Sequence, residues 1–190
     1  QNSAPAVTGV SISPEDATAL TLLSCSASGE DLNDGAIEPA LAWTNATTGA
    51  ALGTEATLQL TADSASPGDA ILCTATVTDA HGASDSLGAE RIVSNIPPVF
   101  DAPASITPET GVYTGTELSC AAAASDADDG GLETAYVWTA GGAELETGPL
   151  YTVLAEDTDV GAVITCTATA VDTSGESVES AASVDVENTA

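Results

Sequence analysis

The 190-residue chain has no lysine and no methionine, and its only cationic side chain at neutral pH is Arg91. Against that one charge stand 29 acidic residues, giving a formal net charge of −28 and a pI near 4.1. A surface of this kind repels phosphate backbones and anionic bilayers, because it has no cations to pair phosphates or to release their counterions. Nucleic acid and anionic membrane are therefore excluded as partners. Aromatic residues make up only 3% of the chain, too few for an extended stacking platform. No apolar run approaches the roughly 18 residues that a membrane-spanning helix needs. Gln1 opens into a polar stretch without a basic and then apolar leader, so a secretion signal is expected to lie outside this sequence.

The chain nonetheless has the means to fold. Its hydrophobic fraction of 43% and mean hydropathy of +0.17 separate it from acidic disordered tails, despite the charge. The length allows one or two domains, each with an apolar core. Acidity without lysine also suits high salt or divalent cations, which screen self-repulsion.

Internal repetition fixes the organisation. Asn2-Ser3-Ala4-Pro5 returns as Asn95-Ile96-Pro97-Pro98, and Ile12-Ser13-Pro14 returns as Ile106-Thr107-Pro108. Cys25 and Trp43 recur as Cys120 and Trp138, while Cys73, Asp79 and Gly82 recur as Cys166, Asp172 and Gly175. Two tandem domains follow, over 1–94 and 95–190, joined by a short proline-containing linker. The chain begins and ends at the same phase of this repeat, which leads to the expectation of a stretch cut from a longer array.

Each repeat reads as all-β. Short runs rich in Val, Thr, Leu and Ile alternate with Gly, Pro, Asp and Asn clusters at the spacing of a sandwich. Ala70–Val77 and Ala162–Thr169 are matching strands. In the latter, Ile164, Cys166 and Ala168 alternate with Thr165, Thr167 and Thr169, the pattern of a strand buried on one face. Gly141-Gly142 fits a tight hairpin, and the Ala121–Ala124 run carries no helical periodicity or caps.

The order Cys25, Trp43, Cys73, repeated as Cys120, Trp138, Cys166 with the same interval before each tryptophan, resembles the immunoglobulin-type sandwich. In that fold the cysteines lie on facing sheets and the tryptophan packs against their bridge. With its Asn-x-x-Pro linkers, acidic turns and Ala/Thr-rich strands, the whole chain resembles the tandem immunoglobulin-like repeats of giant bacterial or archaeal surface proteins, cadherin- and PKD-like arrays among them. The resemblance implies two tandem immunoglobulin-like β-sandwich domains. It departs from the antibody-type pattern in one respect: Ile71 and Ile164 stand where a corner tyrosine would. Four cysteines allow three pairings on paper. The repeat selects Cys25–Cys73 and Cys120–Cys166, since each domain must fold with its own pair, and such bridges imply an oxidising compartment. Closing loops of that length should constrain the unfolded chain by about 4 kcal/mol each in the chain-entropy picture.

Little in the sequence supports catalysis. The only histidine, His81, lies in the turn Asp79-Ala80-His81-Gly82, whose counterpart has Ser174 instead. It reads as a solvated turn residue rather than a general base, and the cysteine spacing does not fit zinc. No cofactor is required. The acidic turns are the one constellation with chemical promise: Asp126, Asp128 and Asp129 in Ser125–Gly131 present alternating hard oxygen ligands before glycine. In an immunoglobulin topology Asp172, on the loop between the last two strands, falls at the same end, with Asp101 as a further candidate. These residues are candidate calcium ligands at the junction with the preceding domain, as the cadherin-like resemblance implies. Asn45-Ala46-Thr47 is the chain's only N-glycosylation sequon.

The expectation is a non-enzymatic structural repeat of an extracellular filament, stalk or adhesin at the cell surface. Its expected partners are neighbouring repeats or copies of the same protein, head to tail, with glycan as a further partner. The alternative is an immunoglobulin-like module that binds carbohydrate or protein.

Overall fold

The computed structural model describes residues 2–155 and 159–188. Gln1, Thr189 and Ala190, which set the phase of the chain ends, lie outside the described residues. Internal contacts divide the chain into two compact units, Gln1–Ile96 and Pro97–Ala190.

Unit 1 contains β1 (Ala6–Ser13), β2 (Ala17–Thr18), β3 (Leu22–Asp31), β4 (Gly35–Ile37), β5 (Ala40–Asn45), β6 (Ala50–Gly53), β7 (Thr57–Gln59), β8 (Ala70–Thr78) and β9 (Ser84–Ser94). One sheet runs β1-β3-β4 with β7 also paired to β3, and the other runs β2-β9-β8-β5-β6. Unit 2 contains β10 (Val99–Thr107), β11 (Glu117–Asp126), β12 (Gly130–Leu132), β13 (Thr134–Ala140), β14 (Ala143–Thr147), β15 (Leu150–Thr152), β16 (Val163–Val171) and β17 (Ser177–Asp185). Its sheets run β10-β11-β12 with β15 on β11, and β14-β13-β16-β17. Apart from the parallel β2–β9 pair, the ladders are antiparallel. The all-β immunoglobulin-like sandwich is thus the architecture of both units.

Period-two patterning explains why these segments are strands. In β8, Ile71, Cys73, Ala75 and Val77 are buried while Thr74 and Thr76 sit half-exposed. In β16, Ile164, Cys166, Ala168 and Ala170 are buried between half-exposed threonines. Pleating sends alternate side chains to opposite faces, so each strand offers one apolar face to the core. Gly141 and Gly142 both have positive φ, 57° and 85°, and close the two-residue hairpin between Ala140 and Ala143. The alanine run at 121–124 lies within β11.

The core of each unit forms around one disulfide and one indole. Cys25 on β3 is bonded to Cys73 on β8, and Cys120 on β11 to Cys166 on β16; the Cα atoms are 6.4 Å apart in both. Trp43 pairs across the sheet with Cys73, and Trp138 with Cys166. Both tryptophans are almost wholly buried. Each indole N–H donates to a backbone carbonyl, Glu55 for Trp43 (2.8 Å) and Gly148 for Trp138 (2.9 Å). A buried indole therefore leaves no orphan donor. Leu23, Leu60 and Ile71 surround the first bridge, and Leu118, Val153 and Ile164 the second. Ile71 and Ile164, at the site of the missing corner tyrosine, are fully buried core residues.

Asn45, the sequon asparagine, has a structural role in the folded unit. Asn45 closes β5 with 2% of its surface exposed. Its Nδ2, the atom a glycan would modify, donates to Asp69 Oδ2 (2.7 Å) and to the Ser64 carbonyl (3.3 Å). Its Oδ1 accepts the amides of Thr47 and Thr48, both at 3.1 Å. The side chain shapes its own turn from within, with its Nδ2 engaged in the folded unit. Unit 2 has Ala140 and Ala162 at the places of Asn45 and Asp69, so the whole buried polar pair is replaced there by methyl groups. Removing one partner of such a pair strands the other. Asn45→Ala is accordingly expected to destabilise unit 1 by about 2–3 kcal/mol. The double variant Asn45→Ala/Asp69→Ala should lose less than the sum of the two single losses. Denaturant titration of the four proteins measures this, and additivity within about 0.5 kcal/mol would refute the coupling.

Candidate functional site

Four buried aspartates hold the acidic turns. Asp31 ends β3 and Asp126 ends β11, while Asp79 and Asp172 follow β8 and β16. All four are among the buried charged residues. Asp31 Oδ1 accepts the amides of Asn33 (2.6 Å) and Asp34 (3.1 Å), and Asp126 Oδ1 accepts those of Asp128 (2.6 Å) and Asp129 (3.1 Å). Asp79 Oδ1 accepts the amides of His81 (2.9 Å) and Ala83 (2.8 Å), and Asp172 Oδ1 accepts that of Glu176 (2.8 Å). A short carboxylate bonded to amides two to four residues on is the Asx device that stabilises such turns.

This assignment changes the reading of the calcium candidates. Asp126 and Asp172 anchor their own turns from inside. Asp129 joins the two turns, its Oδ2 accepting the Thr173 amide (2.8 Å) while the Thr173 hydroxyl lies 2.9 Å from both carboxylate oxygens. Asp128 donates its amide to Asp126. The structure thus places Asp126, Asp128 and Asp129 in one turn, and Asp129 against the residue after Asp172. They do not converge into a ready ligand set: among the described residues, no group of three or more His, Cys, Asp or Glu is placed to hold a metal ion. Among the described residues, Oδ2 of Asp31 and Oδ2 of Asp126 are buried without a hydrogen-bond partner. They occupy equivalent positions in the two units.

In unit 1 the leading segment is latched to these turns. The Asn2 carboxamide donates to Asp79 Oδ2 (2.8 Å), and the Ser3 amide donates to Asn33 Oδ1 (2.7 Å). Sequence reasoning read Asn2 only as a linker marker. Asn2, Asn33, Asp34 and His81 line a shallow cleft, in which His81 is exposed. The three tyrosines of unit 2 are all engaged. Tyr151 is buried against Trp138, with ring centroids 5.8 Å apart. The Tyr136 hydroxyl accepts the Ala122 amide (3.1 Å) and lies 3.3 Å from the Ala122 carbonyl as donor. Tyr113 donates to Glu187 Oε2 (3.2 Å), and that carboxylate raises its pKa.

The latch has a pH signature. The Asn2 hydrogen bond, foremost, holds Asp79 below the ordinary carboxylate value; desolvation opposes it, and the Ala83 and His81 amides and the His81 charge add to it. A folded-state pKa lowered in this way contributes stability above the unfolded value of 3.8, and that stability is lost as pH falls through the folded value. Asn2→Ala should therefore raise the Asp79 pKa and move the acid-unfolding midpoint of unit 1 to higher pH. Carboxyl NMR titration reads the first effect, and an Asp79 titration identical in both proteins would contradict this account.

The sequence matches no protein-family model and no curated protein. Similar solved structures include the three N-terminal domains of the highly immunogenic outer capsid protein of bacteriophage RB49, at 15% identity and a TM-score of 0.35, with 97% of this chain and 59% of that one covered. Fibronectin(III)-like modules of Clostridium thermocellum CbhA align at 15% identity and a TM-score of 0.35, covering 94% of each chain. Drosophila N-cadherin EC1-4 aligns at 16% identity and a TM-score of 0.37, covering 98% of this chain and 50% of that one. The chain spans little more than half of the phage protein and half of the cadherin. Likeness at these TM-scores carries no functional argument, and the sandwich rests on the chain's own strand pairing.

Proposed function

We propose that the chain is a non-enzymatic structural repeat of an extracellular filament, stalk or adhesin, of the kind found in tandem immunoglobulin-like surface arrays. The observation that carries this reading is what the two units share. The common residues are architectural: the bridge, the indole, the buried Ile71/Ile164 pair and the turn-anchoring aspartates Asp31/Asp126 and Asp79/Asp172. Of the residues that line the turns, Asp34 recurs as Asp129, but Asn33 stands against Asp128 and His81 against Ser174. A repeated catalytic or lectin site would require the opposite. Disulfides support an oxidising, extracellular setting. Neighbouring repeats or copies of the same protein, head to tail, are the proposed partners. The binding-module alternative lacks an aromatic platform, since the tyrosines are engaged as described.

A spacer must resist extension. Single-molecule pulling of the intact chain should give two discrete unfolding steps, each shortened by the residues locked behind its bridge. Reduction should lengthen each step by roughly 160–170 Å, from sequence separations of 48 and 46 at about 3.5 Å per residue. Smooth extension without steps would sink the spacer reading, and a saturable hit on a glycan array would favour the binding module.

Calcium belongs to the same proposal, supported by the buried and unpartnered Oδ2 of Asp126 beside Asp128 and Asp129. A hard cation completed by carbonyls and water would satisfy that oxygen. Millimolar calcium should then raise the melting temperature of the wild type but not of Asp128→Ala. An equal rise in both proteins would indicate charge screening and remove calcium from the account.

A further inference from the structure

The two units differ at one seam, where the first strand of each faces the last. In unit 1, Arg91 on β9 reaches over β1. Its Nη2 donates to the Ile12 carbonyl (2.7 Å), its Nε to that of Pro14 (3.3 Å) and its Nη1 to that of Glu90 (3.2 Å). The guanidinium is thus held by three backbone carbonyls that converge on one place.

Unit 2 repeats the backbone without the arginine. Ile12 pairs with Cys25, and Ile106 with Cys120. Arg91 pairs with Ile71, and Val184 with Ile164. The carbonyls matching those of Ile12, Pro14 and Glu90 therefore belong to Ile106, Pro108 and Ser183, while Val184 stands in Arg91's place. Val184 is buried and belongs to the core, so its short side chain does not reach over the seam. A cleft of about 360 Å³ lies there, lined by Ala104, Ser105, Ile106, Glu109 and Ala182–Val184. Glu109, an exposed residue, is among the lining residues and stands where Glu15 stands in unit 1.

We propose that this cleft of unit 2 binds a guanidinium group, carried by an arginine side chain of a partner polypeptide. Unit 1 supplies the occupant's template in Arg91. The site asks for arginine more than lysine, because a planar fork with five N–H donors can address several carbonyls at once, whereas an ammonium is a point charge. The net charge of −28 draws cationic segments to the surface. The partner is thus a basic protein with an exposed arginine, a role distinct from that of a spacer and independent of it.

The test is an amide NMR titration of the full chain with N-acetyl-arginine amide, with N-acetyl-lysine amide at matched ionic strength as control. Saturable shifts are expected at residues 104–109 and 182–184, roughly tenfold weaker for the lysine compound, and none at 10–15 or 89–91, where Arg91 already sits. Arg91→Val should open the seam of unit 1 and add shifts at 10–15 and 89–91. Val184→Arg should fill the cleft of unit 2 from within and abolish its response. If either variant fails to fold, the arginine-to-lysine comparison on the wild type decides. Shifts scattered over the acidic surface, or equal for both compounds, would overturn the proposal. A five-residue peptide with a central arginine should bind more tightly than the single amide. Equal affinity would overturn the assignment to a polypeptide and leave a site for small guanidinium compounds.

Discussion

With one guanidinium against 29 carboxylates, this chain has almost no means of neutralising its acids by ion pairing. A buried, unpaired carboxylate costs several kcal/mol, so each acid that the fold buries needs another donor. The donor is the backbone amide. Asp31, Asp79, Asp126 and Asp172 are buried because tight turns present amides that no ladder uses, and a carboxylate two to four residues earlier can collect them. The same constraint explains why Asn2 matters: its carboxamide supplies Asp79 Oδ2 with a donor in a chain without lysine. It also places the single arginine, which donates to three carbonyls at the seam of unit 1.

A second constraint follows from composition. With so few aromatics, each core is built from one indole, one bridge and aliphatic residues of modest size, joined in unit 2 by the buried Tyr151. The disulfide compensates by restricting the unfolded chain, and it leaves room for variation around it. Leu58 faces Leu23 where Tyr151 faces Leu118, and Leu41 occupies the strand position of Tyr136. The buried Asn45–Asp69 pair of unit 1 becomes two alanines in unit 2. Such exchanges persist because polar partners can be replaced together at little net loss, whereas replacing one alone strands the other.

The fold was legible because its signals are periodic or repeated: alternating threonine, the interval from cysteine to tryptophan, and the double glycine of the β13–β14 turn. The candidate site was less legible. An aspartate before glycine looks the same in sequence whether its oxygens bind an ion or its own turn amides; burial separates the two, and burial is a tertiary property. The structural role of Asn45 was hidden for the same reason, since a sequon records three residue types and not the direction of the side chain. Asn2 and Asp79 had both been marked as repeat positions, but nothing along the chain joins residues 77 apart. The Tyr136 hydroxyl bonded to the Ala122 backbone was invisible for that reason too.

Repetition itself supplied the comparison that a single domain could not. Two copies of one backbone, carrying different side chains at the same register, act as a natural substitution series. Where both copies keep a residue, as at the bridge and the turn anchors, the requirement lies in the fold. Where a buried pair changes together, as at Asn45 and Asp69, the requirement lies in mutual satisfaction. Where one copy keeps a charged group over backbone acceptors and the other withdraws it, as at Arg91 and Val184, neither account suffices. The backbone carbonyls are those that hold a guanidinium in unit 1, and unit 2 does not itself provide one. In a protein this poor in cations, a site of that form can be completed only from outside the chain.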